Sequence, residues 1–360
     1  MKKPIRIKDI ASKSGVSVGT VDRVIHGRGN VSPQKRKLVL EVMKELGYER
    51  NLIASALAYN KNFKIATLLP EPTIDPYWQA PLSGVTNALK TVQHYGVTSK
   101  LYFFNLFDPS SFIKKADEIL NDAPDAILFA PLFLKESKRL LAQTKELGIP
   151  NIMVNTNIEN ANSLSYIGPD SYQSGVLAGR LLDFGHYKDA TFIILNLAKG
   201  STNAHHLLQK EKGFRDYFTN AKIDHIQVKK YDFEGFDQAD KMKAFMQQVI
   251  LQHPNLTGIF VTNSRAFKVV SSISDEQAAK INIVGFDLLT QNLEYLKSNK
   301  INFLINQNSV QQGYWGIMSL FNHFILKQEV KKIQNLPLDI VVLENYTYYL
   351  QKEKSFQLAI

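Results

Sequence analysis

The stretch Ile5-Arg-Ile-Lys-Asp-Ile-Ala-Ser-Lys-Ser-Gly-Val-Ser-Val-Gly-Thr-Val-Asp-Arg-Val-Ile-His26 decides how the front of this chain is read. Ile7, Ile10 and Ala11 recur at helical spacing on one face, and Gly15 supplies a turn that a side chain would obstruct. Ser17 is a good N-cap for a second helix through Ile25. Val16, Val21, Val24 and Ile25 then pack back on the first helix, leaving Val18, Gly19, Asp22, Arg23 and His26 outward. Two short helices around a tight turn form a DNA-reading unit. Gly27 and Gly29 break the second helix, and Ser32-Pro33 opens a third with a cap and a proline at its first position. Leu38, Val42, Met43 and Leu46 are expected to close the small core.

Charge supports this reading. Residues 1–60 carry twelve Lys and Arg against five Asp and Glu, so +7 of the net +10 sits in one sixth of the 360-residue chain. Clustered positive charge is the footprint of phosphate contact. The sequence contains no cysteine, which removes disulfides, thiolate nucleophiles and Cys-based zinc sites together. The composition, 44% hydrophobic and 21% charged, is that of a soluble globular protein. No run of 18 apolar residues occurs, and Met-Lys-Lys-Pro leads into alternating polar sequence instead of a signal segment, so a cytoplasmic protein without membrane contact is expected.

The spacing is more specific than a generic helix-turn-helix. It resembles the LacI family of bacterial transcription regulators through Ile7 to Ala11, Gly15 to Ser17, Thr20 to Val24, Asn30 to Ser32, and Leu46 to Tyr48 followed by Asn51. The chain departs from the family at Asp22, where Ser is common, and at Arg50, where Pro is common. The DNA-contacting set implied is Ser17, Val18, Gly19, Thr20, Asp22, Arg23, His26 and Asn30 from the headpiece. Asp22 either accepts from a cytosine amino group or holds Arg23 in place, and Val18 and Gly19 are sized for a thymine methyl or close backbone approach.

From Phe63 onward, short apolar runs alternate with helix-like stretches, the pattern of parallel βαβ units. Strands are expected at 65–69, 100–104, 126–130, 151–155, 192–196, 226–231, 258–262, 283–286, 303–305 and 338–343. The fold class is therefore an all-α helix-turn-helix DNA-binding headpiece joined to an α/β core of two doubly wound subdomains. The order of the core resembles the periplasmic-binding-protein-like domain that follows the headpiece in the same family, with three chain crossings between lobes. The expected domains are a headpiece at 1–49, a hinge helix at 50–61 and a ligand-binding and dimerisation core at 62–360. The first lobe would take 62–163 and 290–325, the second 164–289 and 326–360.

Ligands in open α/β sheets bind beyond the carboxyl ends of strands. The loops there hold Asp75, Tyr77, Trp78, Asn155, Asp170, His205, His206, Asn263, Asp287 and Gln307. Planar or bidentate hydrogen-bonding groups flanked by aromatics suit a sugar, whose hydroxyls donate and accept while its C–H face stacks on a ring. Taken singly, Asp75 and Asp170 are equally turn formers, Asn263 and Asp287 helix caps, and Tyr77 and Trp78 core. Relatives often place an arginine shortly before the Gly-Phe seen here as Gly213-Phe214, where this chain has Leu208, Gln209 and Lys210.

Asn51-Leu-Ile-Ala-Ser-Ala-Leu-Ala58 is a short helical segment expected to fold on DNA, because isolated helices this short are marginal in water. The resemblance implies that Asn51, Ala54 and Leu57 reach the duplex, with Leu57 as a minor-groove wedge. The partners implied are a pseudo-palindromic operator, a sugar-like effector and a second copy of the chain in a homodimer or tetramer, with no cofactor and no metal. The effector would control operator affinity, and the regulator would act as a repressor. The competing reading, a sugar- or nucleotide-modifying enzyme, lacks a Gly-x-Ser-x-Gly elbow and a Gly-x-Gly-x-x-Gly loop, and Lys199-Gly-Ser-Thr202 reverses the order of a phosphate loop.

Overall fold

Three helices open the chain: α1 (Ile7–Ser14), α2 (Val18–Ile25) and α3 (Pro33–Leu46). The computed structural model describes residues 5–25, 29–48, 62–185, 189–199 and 205–351. The chain divides into Met1–Asn60 and Lys61–Ile360. In the first unit Gly15 ends α1 at φ 64°, its N–H donating to the Ala11 carbonyl. The Ser17 hydroxyl accepts from the Thr20 N–H at 3.2 Å, satisfying a donor that α2 leaves open at its start. Ile10, Ala11, Val21, Val24, Val39 and Val42 make the core. Leu38 is not part of it: 43% exposed, it yields its place to Val39. Val39, Val42, Met43 and Leu46 follow the i, i+3, i+4, i+7 rule that one helix face demands, and Leu38 falls one residue off that stripe.

The second unit holds two six-stranded sheets. The first contains β1 (Phe63–Pro70), β2 (Val97–Phe104), β3 (Ala126–Phe129), β4 (Asn151–Val154), β5 (Ser165–Gly168) and, late in the chain, β11 (Ile333–Asn335). Their spatial order is β11-β5-β4-β3-β1-β2, all parallel. The second contains β6 (Ala190–Asn196), β7 (Ile226–Asp232), β8 (Leu256–Val261), β9 (Asn282–Phe286), β10 (Phe303–Asn306) and β12 (Asp339–Val341), ordered β12-β10-β9-β8-β6-β7. Only β12 runs antiparallel, against β10. The inner strands are near-continuous buried runs because helices cover both faces of each sheet, whereas the edge strands β2, β7, β11 and β12 carry exposed and polar positions.

The helices are α4 (Gln79–Val92), α5 (Pro109–Asn121), α6 (Leu134–Glu146), α7 (Ser171–Asp183), α8 (His205–Ala221), α9 (Ala239–Gln252), α10 (Ala266–Val270), α11 (Asp275–Ala278), α12 (Thr290–Lys297) and α13 (Ser309–Phe324). Each lobe contains one helix pair packed backbone to backbone. A Cβ on Gly84 of α4 would lie 1.9 Å from the Val310 carbonyl oxygen of α13, and one on Gly175 of α7 would lie 2.0 Å from that of Lys210 in α8.

The lobe boundaries differ from the sequence expectation. Residues 165–168 extend the first sheet beside β4, so the first crossing falls at 169–170 and not at 163. Residues 290–306 belong to the second lobe: β10 pairs with β9, and Leu293 and Leu296 of α12 are buried in that lobe's core. Residues 309–324 return to the first lobe, where Ile317, Leu320 and Phe321 are buried. β11 keeps the chain there through Asn335, so the third crossing lies at 336–338. The strands at 165–168 and 333–335 were missed because Ser-Tyr-Ile-Gly and Ile-Gln-Asn hold too few consecutive apolar residues to read as buried strands.

Candidate functional site

In the headpiece, Ser17, Val18, Gly19 and Arg23 are exposed and Thr20 and Asp22 half-buried on α2 and its approach. Asn30 is exposed at φ 67°. His26, Asn51, Ala54 and Leu57 lie outside the described residues.

In the core, the loops after β1, β4, β8 and β9 and the segment after β10 meet over a cavity of about 100 Å³ between the lobes. Asp75, Tyr77, Trp78, Asn155, His206, Asn263, Asp287 and Gln307 all line it. Asp170 and His205 do not. They border a second cavity of about 380 Å³ along the crossings, where Asp170 caps α7 by accepting from the Gln173 N–H at 3.0 Å. For Asp170 the capping role is the one observed.

Local structure explains the placement. Asp75 accepts from the Tyr77 N–H at 3.1 Å, capping a short 3₁₀ turn that sets Tyr77 and Trp78 edge to face with ring centres 5.0 Å apart. Asn155 and Asp287 end β4 and β9 at φ 68° and 66°. A left-handed residue there turns the chain sharply, and Asn and Asp accept that conformation at the least cost after glycine. The Asn155 amide donates to the Tyr77 hydroxyl at 2.7 Å. The Asn263 amide donates to the Leu197 carbonyl at 3.0 Å. Asn292 is fully buried and donates to the carbonyls of Ser264, Phe286 and Asp287, fixing two of these turns at once.

Two cations complete the site, and neither was among the sequence candidates. Arg265, 9% exposed, donates to the Asp75 carboxylate across the cleft and to the Leu197 carbonyl at 3.2 Å. Its guanidinium stands 5.0 Å from the Phe236 ring centre. Lys210 is 3% exposed and donates to the Thr262 carbonyl at 3.0 Å and the Gln307 side-chain oxygen at 3.2 Å. The Gln307 amide donates to both Asp287 oxygens, at 3.1 and 3.0 Å, so a single glutamine separates Lys210 from Asp287. The signal for Lys210 was its place in the Leu208-Gln209-Lys210 run where relatives often carry an arginine shortly before Gly213-Phe214; Arg265, two residues after Asn263, carried no separate signal.

Burial dominates the electrostatics. It pushes the Lys210 ammonium below its ordinary value against the pull of Asp287, and it pushes the Asp287 carboxyl up despite Gln307 and Lys210. Burial also lowers His206 to about 3, with Lys210, His205 and Arg265 adding to the fall. The Tyr77 phenol is raised by burial and then by Asp287. Among the described residues no cluster of His, Asp and Glu could hold a metal ion, and no helix is long and apolar enough to cross a membrane.

Residues 6–51 match the bacterial regulatory proteins of the lacI family, and residues 65–328 match the periplasmic binding protein domain. The chain belongs to the LacI family. Catabolite control protein A of Priestia megaterium is 26% identical over 79% of this chain and 82% of its own. The ribose operon repressor of Halalkalibacterium halodurans is 24% identical over 96% of each. Among solved structures, a protein of Bacteroides fragilis assigned as a LacI transcriptional regulator superposes with a TM-score of 0.72, at 26% identity, over 80% of this chain and all of that one. A solute-binding protein of Agrobacterium vitis bound with α-D-tagatopyranose gives 0.70 at 25% identity, over 79% of this chain and 96% of that one. The chain is thus a DNA-binding transcription regulator and not an enzyme, with a helix-turn-helix reader ahead of a two-lobed α/β core.

Proposed function

We propose that this regulator is a repressor whose operator affinity is set by a sugar or sugar derivative held between the lobes of the core. The observation that carries the reading is the cavity itself, which is built from both lobes and bridged by Asp75 and Arg265. Tyr77, Trp78 and Phe107 give the lining aromatic edges, and Asn155, Asn263, Asp287 and Gln307 give it paired donors and acceptors. Such a wall suits hydroxyls on a carbon frame.

An occupant that touches both lobes favours one arrangement of them over another, and by linkage any DNA-bound arrangement it favours or disfavours changes operator affinity by the same factor. On this reading the protein works in the cytoplasm as a homodimer on a two-fold operator. Val18, Gly19, Asp22 and Arg23 face base edges, and Asn51, Ala54 and Leu57 act in the minor groove between half-sites. Two measurements test the reading: selection of a preferred duplex from random sequence by the full chain, and anisotropy of that duplex against monosaccharides, sugar acids and polyols. The reading requires a two-fold symmetric consensus and at least one sugar that shifts the binding curve. A non-palindromic consensus, or a curve that no sugar moves, refutes it.

A further inference from the structure

Lys210 is the least compensated charge in the cavity. Its two hydrogen bonds go to neutral oxygens, the Thr262 carbonyl and the Gln307 amide, and among the described residues it makes no ion pair. Its ammonium sits 3.4 Å from the centre of the Phe286 ring, so one side of it is closed by an aromatic face. Arg265 differs, because Asp75 already neutralises it. The third lining cation, Lys199, pairs with Asp237 at 3.7 Å, so among the described residues Lys210 is the lining cation left without an ion pair.

A second, independent observation comes from His206. It stands one helical turn before Lys210 on α8 and borders the same cavity. Its Nδ1 is buried and has no hydrogen-bond partner among the described residues. Beside burial, the lasting charges that act on this imidazole are the cations Lys210 and Arg265. The buried ammonium lacks a direct counterion, and the imidazole, in the tautomer that carries its proton on Nδ1, lacks an acceptor; one carboxylate would answer both. A neutral sugar would offer only hydroxyls to both.

We propose that the effector is a monosaccharide acid whose carboxylate seats between Lys210 and His206, while its hydroxyls meet Asn155, Asn263 and Asp287. The inference rests on the sugar reading above and narrows it to a chemical class. The Lys210–carboxylate bond is charge-assisted and stronger than either bond Lys210 now makes. Asp287 stays bonded to Gln307 and faces the polyol end.

The test is calorimetric titration of the full chain with matched pairs: glucuronate against glucose, galacturonate against galactose, and gluconate against glucitol, at constant ionic strength. At least one acid should bind 100-fold or more tightly than its neutral partner. Lys210→Met should abolish that preference, and Lys210→Arg should retain it; the Arg variant guards against a Met variant that does not fold. A neutral sugar that binds as well as its acid overturns the carboxylate subsite and leaves the sugar reading standing. If no member of either series binds and a nucleobase or amino acid does, the sugar reading falls and takes this inference with it.

Discussion

Arg265→Met removes the one cation that joins the lobes through an ion pair among the described residues. Its guanidinium and the Asp75 carboxylate are both about nine-tenths buried, on loops from opposite sheets. Deleting one member of a buried pair costs about 3 to 5 kcal/mol while the survivor stays dry. Among the described residues, Asp75 would keep the Tyr77 N–H as its one remaining side-chain partner. Opening of the cleft rehydrates that carboxylate, so the loss is spent on the balance between closed and open lobes before it reaches global unfolding. At about 1.4 kcal/mol per factor of ten, the lower figure moves that balance roughly 100-fold toward the open form.

The absence of cysteine makes the measurement direct. Spin labels on Cys introduced at the exposed Lys138 of α6 and Lys243 of α9 place one reporter on each lobe. The variant should show a second distance population, and effector affinity should weaken as the competent fraction falls. Asp75→Asn should do less, and the double variant should fall well short of the sum of the two. An unchanged distance distribution together with additivity within about 0.5 kcal/mol would refute the argument.

Ser17→Ala should cost the headpiece about 1 kcal/mol through loss of the α2 cap and lower operator affinity, read by thermal melting and anisotropy. Arg23→Ala should weaken a preferred operator by about 1 to 3 kcal/mol if the side chain reads a base; equal loss on random duplex would assign it to phosphate. Gly175→Ala drives a methyl into the Lys210 carbonyl and should destabilise the core by about 1 to 3 kcal/mol, with a lower melting temperature; an unchanged melt would contradict the close helix contact. His206 stays neutral in the folded protein down to about pH 3, whereas unfolded it takes a proton near its ordinary value of 6.5. Its contribution is therefore complete above pH 6.5 and declines as pH falls through that window. Asp287, raised by burial, acts in the opposite sense over part of the same range, so the comparison must be with His206→Asn. Wild type should lose stability relative to that variant on acidification; parallel curves would exclude the buried neutral imidazole.

The headpiece was legible in the sequence because caps and helix breaks are local. Ser17, Ser32-Pro33 and Gly15 each act within four residues. Leu38 was misplaced for a related reason: a stripe drawn from four residues tolerates a one-position slip that only a packed partner corrects. In the core, strand-end polar residues gave most of the cavity, since a parallel sheet puts the carboxyl ends of its strands together. Asp170 and His205 were gathered by the same rule but belong to the crossings, where chain direction and not strand end decides position. Lys210 and Arg265 escaped notice because a charge in a helix or a loop normally points to water, and only the tertiary fold shows which ones are enclosed.

The three crossings at 169–170, 307–308 and 336–338 are cross-stitched. Asn308, left-handed at φ 52°, donates to the Pro337 carbonyl and the Asp339 carboxylate, both at 2.9 Å, and the Leu336 N–H donates to the Gly168 carbonyl at 2.9 Å. Such a strip would serve as an axle, allowing rotation more readily than sliding, and Gln307, which holds both Lys210 and Asp287, is mounted on it. Whatever tugs on either of those side chains applies torque at the pivot itself, where a small displacement sweeps the far ends of both lobes through the largest arc.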